Sequence, residues 1–351
     1  MAILRFSNAV SEISKLVSTF QTLHSAMKDK TNFSHDDSRD VLIAMGLVSS
    51  SGAVGEEARR RSTREDRTRD PLFNQLKMYS ELFRMLGWIH PGTDRTHFNF
   101  SVLGKYIGNP ENDVNHLVEE CILGIVFPNP NFDTVSGNSI RPFPFLLKTM
   151  EASNGIIFRD EIIISVLSVS DDNDEEFTNS ISKIEQVRGS YPRLMTTLSQ
   201  TIGRIQINTA RNYTRIPLGI LRYANWAEQV SNRTIYKKML IGYKLSQKGQ
   251  ILVAELANRV DIRNPELSKY SIEKRANFNL LAHLTMLERS GWDLVSYQNL
   301  FNRLSENCAS ILEDFEITNR QQILYSPYQQ STSEELLAME ELDAKYEAEG
   351  L

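Results

Sequence analysis

Long apolar runs are missing from this sequence of 351 residues. No window approaches the roughly eighteen apolar residues of an ordinary membrane-spanning helix, so no membrane partner is expected. Cysteine is scarce. Cys121 and Cys308 lie far apart and fit free core thiols of a reducing cytoplasm better than a disulfide framework. No pair of Cys or His residues has zinc-finger spacing. The N-terminal stretch lacks the continuous apolar core and cleavage site of a secretory signal, so a cytoplasmic location is expected. Absent too are a Walker A loop, a GxGxxG turn and a Gly-x-Ser-x-Gly elbow. Hydrophobic residues at 41% and charged residues at 24% describe an ordinary globular chain, long enough for two or three domains with cores of their own.

Acidic residues are nearly missing from one stretch. Between Arg204 and Lys248 the only acid is Glu228, against nine basic side chains: Arg204, Arg211, Arg215, Arg222, Arg233, Lys237, Lys238, Lys244 and Lys248. The stretch carries +8 in a chain whose total is −5, which leaves −13 elsewhere. A basic island in an acidic chain is the footprint of a surface that meets phosphates; the bland alternative is a solvated basic face. The order of signals in the stretch reads as helix, strand, wing, strand and helix start, which is the layout of a winged helix-turn-helix. Its basic helical run extends from Asn208 to Tyr223. Pro217 either opens a helix there as a first-turn proline or kinks it.

The same order occurs earlier. Asp70-Pro71 opens a helix lined by Leu72, Phe73, Leu76, Tyr79, Leu82, Phe83 and Leu86, which Gly87 ends. Trp88-Ile89, the turn Pro91–Asp94 and the alternating His97–Phe100 make a hairpin, and a short helix starts at Leu103. The expected fold class is therefore mainly α with small β-hairpins (α+β): two winged helix-turn-helix units plus a C-terminal helical linker. The shared element order is the evidence for two copies, since no repeat of fixed period is visible. The expected domains are 1–138, helical with the first winged unit; 139–260, the second winged unit; 261–330, a helical linker domain; and 331–351, an acidic tail that frays if nothing lies beyond it. Asp171–Asp174 reads as a solvated acidic turn, lacking the EF-hand pattern of a calcium loop.

Arg59, Arg60, Arg61, Arg64, Arg67 and Arg69 crowd eleven residues. They read either as a solvated loop or as an arm that orders on DNA. A nuclease centre would need carboxylates to hold Mg²⁺ on the scissile phosphate. The only Asp/Glu-x-Lys is Asp343-Ala344-Lys345, in the acidic tail with no strand around it, and His35-Asp36-Asp37 reads as a helix start. No catalytic or metal-binding residue and no cofactor is assigned to this chain.

The helices of 141–203, the basic helix ARNYTRIPLGILRYANWAEQV and the subsequent YKLSQKGQILVAEL resemble the recognition region of type IIS restriction endonucleases of the AlwI kind and related nicking endonucleases. The resemblance covers about residues 70–315. It implies a specificity part that reads a short asymmetric site in double-stranded DNA. It also implies a PD-(D/E)xK nuclease domain or subunit, with its own Mg²⁺, which is missing from this chain. On that reading Asn208, Arg211, Asn212, Arg215 and Arg222 face base edges or adjacent phosphates, since Arg and Asn are shaped for two-bond contacts to guanine and adenine, and Tyr213 is counted among the DNA-binding residues. Lys237, Lys238, Lys244 and Lys248 grip the backbone. A winged-helix transcriptional regulator and a protein-docking module are the alternatives.

Overall fold

The computed structural model describes residues 3–7, 12–30, 32–50, 52–61, 70–91, 97–127, 139–324, 341–342, 344–346 and 348–350. The chain is mainly helical with small antiparallel sheets, the α+β class expected from the sequence. Ile13, Leu16, Val17, Phe20, Leu23 and Met27 recur at helical spacing, and all are buried on one face of α1 (Ile13–Met27). β1 (Phe33–Ser34) runs directly into α2 (His35–Ala44). There Ser34 and Asp37 form a capping box, the Asp37 carboxylate accepting from Ser34 N at 2.8 Å. The small hairpin β2 (Ser49–Ser50) and β3 (Ala53–Val54) precedes α3 (Gly55–Arg61). Then come α4 (Pro71–Met85), β4 (Ile89–Pro91), β5 (His97–Phe100), α5 (Val102–Ile107) and α6 (Asn115–Leu123). β5 pairs with both β1 and β4, giving the order β1-β5-β4.

The second unit repeats this plan with an insertion. α7 (Pro142–Ala152), β6 (Ile156–Phe158) and α8 (Arg159–Ser165) lead into α9 (Asp174–Val187), α10 (Tyr191–Ile202) and α11 (Ile207–Asn212). Next come α12 (Arg215–Tyr223), β7 (Ala227–Asn232), β8 (Leu240–Leu245) and α13 (Gln247–Leu256). The sheet order β6-β8-β7 is that of the first unit. Pro217 sits in the first turn of α12, where its missing N–H leaves no ladder bond unmade.

The likeness of the two units reaches single residues. Trp88 N donates to Phe83 O, and Trp226 N to Leu221 O, each at 2.9 Å. Both indoles are fully buried. Ser101 N donates to Trp88 O and Ser246 N to Trp226 O. Each of those serines then caps a helix by accepting from the amide of Gly104 or Gly249. Each also donates to the residue before the tryptophan, Gly87 or Asn225, both of which have positive φ. A Cβ on Gly104 would lie 1.9 Å from Trp88 O, and one on Gly249 2.1 Å from Trp226 O. Backbone thus passes over backbone at matching points.

The C-terminal layer holds β9 (Val260–Asp261), α14 (Asn264–Leu267), α15 (Ile272–Arg289), α16 (Gln298–Asn307), α17 (Ala309–Asp314) and β10 (Ile323–Leu324), with β10 parallel to β9. Buried ion pairs join the layers. Glu120 on α6 receives Arg259 and Arg289, each at 3.0 Å. Burial works against its ionisation, but Arg289 and Arg259 outweigh that and hold its pKa below the usual carboxylate value. Arg141, wholly buried, pairs with Asp261 at 2.5 Å and donates to Gly124 O. Arg263 bridges Asp261 and Asp172.

Three expectations need correction. Asp172 is an anchor for Arg141 N and Arg263, not a member of a solvated turn. Arg59, Arg60 and Arg61 are helical in α3 and pair with Glu56 and Glu57 at 2.9–3.6 Å, whereas Arg64, Arg67 and Arg69 lie outside the described residues. The acidic end docks where it is described: Tyr346 is buried, its hydroxyl donating to Asn277 Oδ1 at 3.0 Å and accepting from Asn307 at 2.9 Å.

Gly104→Ala and Gly249→Ala should each lower the unfolding free energy by about 3 kcal/mol, since backbone carbonyls must move to admit the methyl group. Urea midpoints of both variants test this, and an unchanged midpoint for either contradicts the match. Burial pushes the imidazole of His283 down to about 4. The folded protein therefore resists a proton that the unfolded chain takes up near pH 6.5. The His283 contribution should be constant above that pH and cost up to about 3 kcal/mol between pH 6.5 and 4, with His35, also held down to about 4 by burial, adding to the same decline. His283→Gln, assayed by thermal melts across that range, should make the decline shallower, leaving the share that belongs to His35.

Candidate nucleic-acid interface

The second unit is built around a buried carboxylate. Glu161 is the third residue of α8, and its position lets it accept from Phe158 N at 2.9 Å. Arg188, beyond the end of α9, donates to both of its oxygens at 2.9 and 3.0 Å. Arg188 also reaches Ser153 O and Ile156 O, so one guanidinium ties α7, β6, α8 and α9 together. Tyr236, in the β7–β8 connection, donates its hydroxyl to Glu161 at 2.5 Å. Burial, then the charge and hydrogen bond of Glu161, push the phenol pKa up. The connection is further tied down by Gly189 N donating to Ile235 O. It is therefore a rigid feature, with Arg233, Lys237 and Lys238 exposed around its pinned tyrosine. Lys238 Nζ stacks 3.6 Å from the ring centre of Tyr191, at the start of α10.

Beside this loop lies the pair α10 and α11. Gly203, at φ +57°, makes the sharp turn between them. Leu194, Leu198, Ile202 and Ala210 face inward. The outer side presents Thr196, Ser199, Gln200, Arg204, Gln206, Asn208 and Thr209, all exposed. From Arg188 through Ala227 the sequence contains six arginines and no acid. The face is thus short polar side chains edged by cations.

α12 departs from expectation. Residues 208–223 are two helices, and from Ile216 to Leu221 every side chain of the second is buried. α12 packs against α1, and Tyr223 donates to Asn115 Oδ1 at 3.0 Å. It presents only Arg215 and Arg222 fully to solvent. In the first unit the counterpart α4 keeps Asn74 and Lys77 exposed.

The expected contact residues fall into groups. Arg204, Asn208, Arg215, Arg222, Arg233, Lys237, Lys238 and Lys244 are exposed. Asn212 and Tyr213 are half-buried at the end of α11. Arg211 is held in a two-bond fork on Asp160, at 2.8 and 2.6 Å, and is half-buried; the geometry makes it a positioning residue, where a base contact was expected. Lys248 pairs with Glu119 at 2.6 Å. Charge counting along the stretch could not see either partner, since Asp160 and Glu119 lie far upstream. Sequence reading also passed over Arg159, Arg193 and the polar side chains of α10; the acid-free run continuing back to Arg188 was the available signal. Among the described residues no group of His, Cys, Asp and Glu is arranged to hold a metal ion. Asp343 lies outside them. No helix among them is long and apolar enough to cross a membrane.

No protein-family model matches the chain, and no curated protein matches it. The solved structure of restriction endonuclease FokI is similar to it with a TM-score of 0.37 and 10% sequence identity, over 88% of this chain and 58% of that one. The chain thus spans less than two thirds of that protein's length. A likeness of this size carries no argument about function.

Arg188→Met should destabilise the protein by about 3–5 kcal/mol by leaving Glu161 buried without its counter-charge. Arg188→Met combined with Glu161→Gln should recover part of the loss. Equilibrium unfolding of the single and double variants measures both, and additive losses would mean that the pair is not coupled.

Proposed function

We propose that this chain binds double-stranded DNA through its second unit and reads a short asymmetric sequence there. The observation that carries the reading is the α10–α11 face, polar and built from a run of chain that holds no acid of its own, with a rigid cationic loop beside it. Short polar side chains suit base edges, and cations at the margin suit phosphates. On this reading Gln200, Asn208 and Thr209 approach the bases. Arg204, Arg215, Arg233, Lys237 and Lys244 hold the strands. The two units act as winged helices that present different surfaces, α4 in one and α10–α11 in the other. Unlike surfaces in one chain suit a site without two-fold symmetry.

The resemblance to type IIS restriction endonucleases extends the reading. The chain would be the specificity part of such an enzyme, and cleavage would belong to an associated nuclease domain or subunit holding Mg²⁺. A winged-helix regulator would instead bind a palindrome as a symmetric dimer.

Selection of bound duplexes from a random pool tests this directly. The expected outcome is a short, non-palindromic consensus bound by one chain per duplex. Asn208→Ala should then lose about 1–3 kcal/mol of discrimination at one base pair, leaving the others unchanged. A palindromic consensus with two chains bound would favour regulation. Absence of any enriched sequence, or binding indifferent to salt, would reject DNA reading.

A further inference from the structure

Where α8, α11 and α12 meet, three arginines gather around one carboxylate. Arg159 opens α8, Arg211 ends the exposed face of α11, and Arg215 opens α12. Arg159 donates to Arg211 O through Nε at 3.2 Å and Nη2 at 2.5 Å, and to the hydroxyl of the buried Thr214 at 2.9 Å. Thr214 donates in turn to Arg211 O at 2.8 Å. These bonds place the three guanidinium-bearing residues side by side. Among the described residues their one acidic partner is Asp160, and Arg211 occupies both of its oxygens.

The arrangement leaves charge over. Arg159 is bonded only to neutral oxygens, its Nη1 has no bonded partner among the described residues, and Arg215 is exposed with no ion pair there. Three positive groups and one negative group remain beside each other with a net of +2. Burial, then the neighbouring charge of Arg211, lower the pKa of Arg159, and Arg215 adds to the effect while Asp160 opposes it. Holding like charges together in a partly desolvated place costs stability unless an anion completes the group. Arginine forks match the oxygens of a phosphate.

We propose that Arg159 and Arg215, with Arg211 fixed beside them by Asp160, form a site for one phosphoryl group, and that a backbone phosphate of the bound duplex fills it. The choice of duplex as the source rests on the proposed DNA binding; the oxyanion site itself does not. Asp160 sets the geometry by holding the Arg211 fork at both of its oxygens, which leaves Arg159 and Arg215 as the cations without a carboxylate among the described residues. The phosphate would register the α10–α11 face against the strand without reading a base.

The test uses the full chain and the Arg215→Gln variant, with Arg215→Lys as the charge-retaining control. Arg215 is exposed but belongs to the crowded positive group, so in phosphate-free buffer Arg215→Lys should melt at the wild-type temperature and Arg215→Gln at or slightly above it. Binding to a mixed-sequence duplex is monitored by anisotropy between about 50 and 200 mM KCl. Arg215→Gln should reduce the slope of log K against log salt by about 0.9, equally on all sequences, and Arg215→Lys should restore most of it. An unchanged slope in a wild-type protein that does bind duplex overturns the backbone-phosphate assignment. In a second arm, inorganic phosphate is added to thermal melts. If the wild type does not bind duplex but is stabilised by phosphate, and Arg215→Gln is not, the site serves a free phosphate and the DNA reading alone fails. Stabilisation of neither protein, together with no change in slope, overturns the site.

Discussion

Glu161 is the group on which the second unit depends. A carboxylate so deeply buried is tolerable only if every lone pair is engaged, and here a backbone amide, a guanidinium fork and a phenol engage them. Those donors come from separate parts of the chain. Closing the network therefore fixes the start of α8, the exit from α9 and the middle of the β7–β8 connection in one step. The connection is held against α10 by this constraint, and Lys238 lies over Tyr191 as a consequence. A hairpin loop pinned at its centre presents cations from fixed positions. That lowers the ordering cost of meeting a strand compared with a free loop.

The two units share a frame and differ in the surface each builds on it. The tryptophan, serine and glycine contacts recur because both units must pass a hairpin over the end of the preceding helix. The glycine is required where the helix after the hairpin crosses the tryptophan carbonyl. In the second unit α9, α10 and α11 are inserted ahead of α12, and α12 is enclosed by α1 and α6. On the proposed reading, the outward role that α4 would take in the first unit falls to the inserted pair in the second. The inserted pair packs on α8, and its free side can be polar without harm to the core.

Much of the frame was legible in the sequence. Apolar residues at helical spacing marked α4, turn residues marked the first hairpin, and the order of signals marked the second. The duplication was legible only as element order, because the inserted helices and the longer second hairpin destroy any fixed period. Ser101–Gly104 and Ser246–Gly249 carry the same Ser-x-x-Gly cap, but four residues are too few to stand out alone. The basic island was legible as composition, while its allotment was not. Whether an arginine is free depends on a carboxylate brought close by folding, and Asp160 and Glu119 are supplied by other elements. Tyr346 shows the same limit. Its tail looked detached because its partners, Asn277 and Asn307, sit on helices whose approach no local pattern records.

The buried pairs between layers bear on how a duplex could be met. Glu120 receives arginines from the end of the second unit and from α15, and Arg141 and Arg263 share Asp261. Breaking such a pair exposes a buried charge to an apolar setting, so relative motion of the units is opposed strongly. If both units meet a duplex as proposed, two surfaces held at a fixed spacing would demand that their target match that spacing. A duplex that fits only after bending would bear the cost of its own deformation, which depends on its sequence. Rigidity between the units can therefore add selectivity at base pairs that no side chain touches.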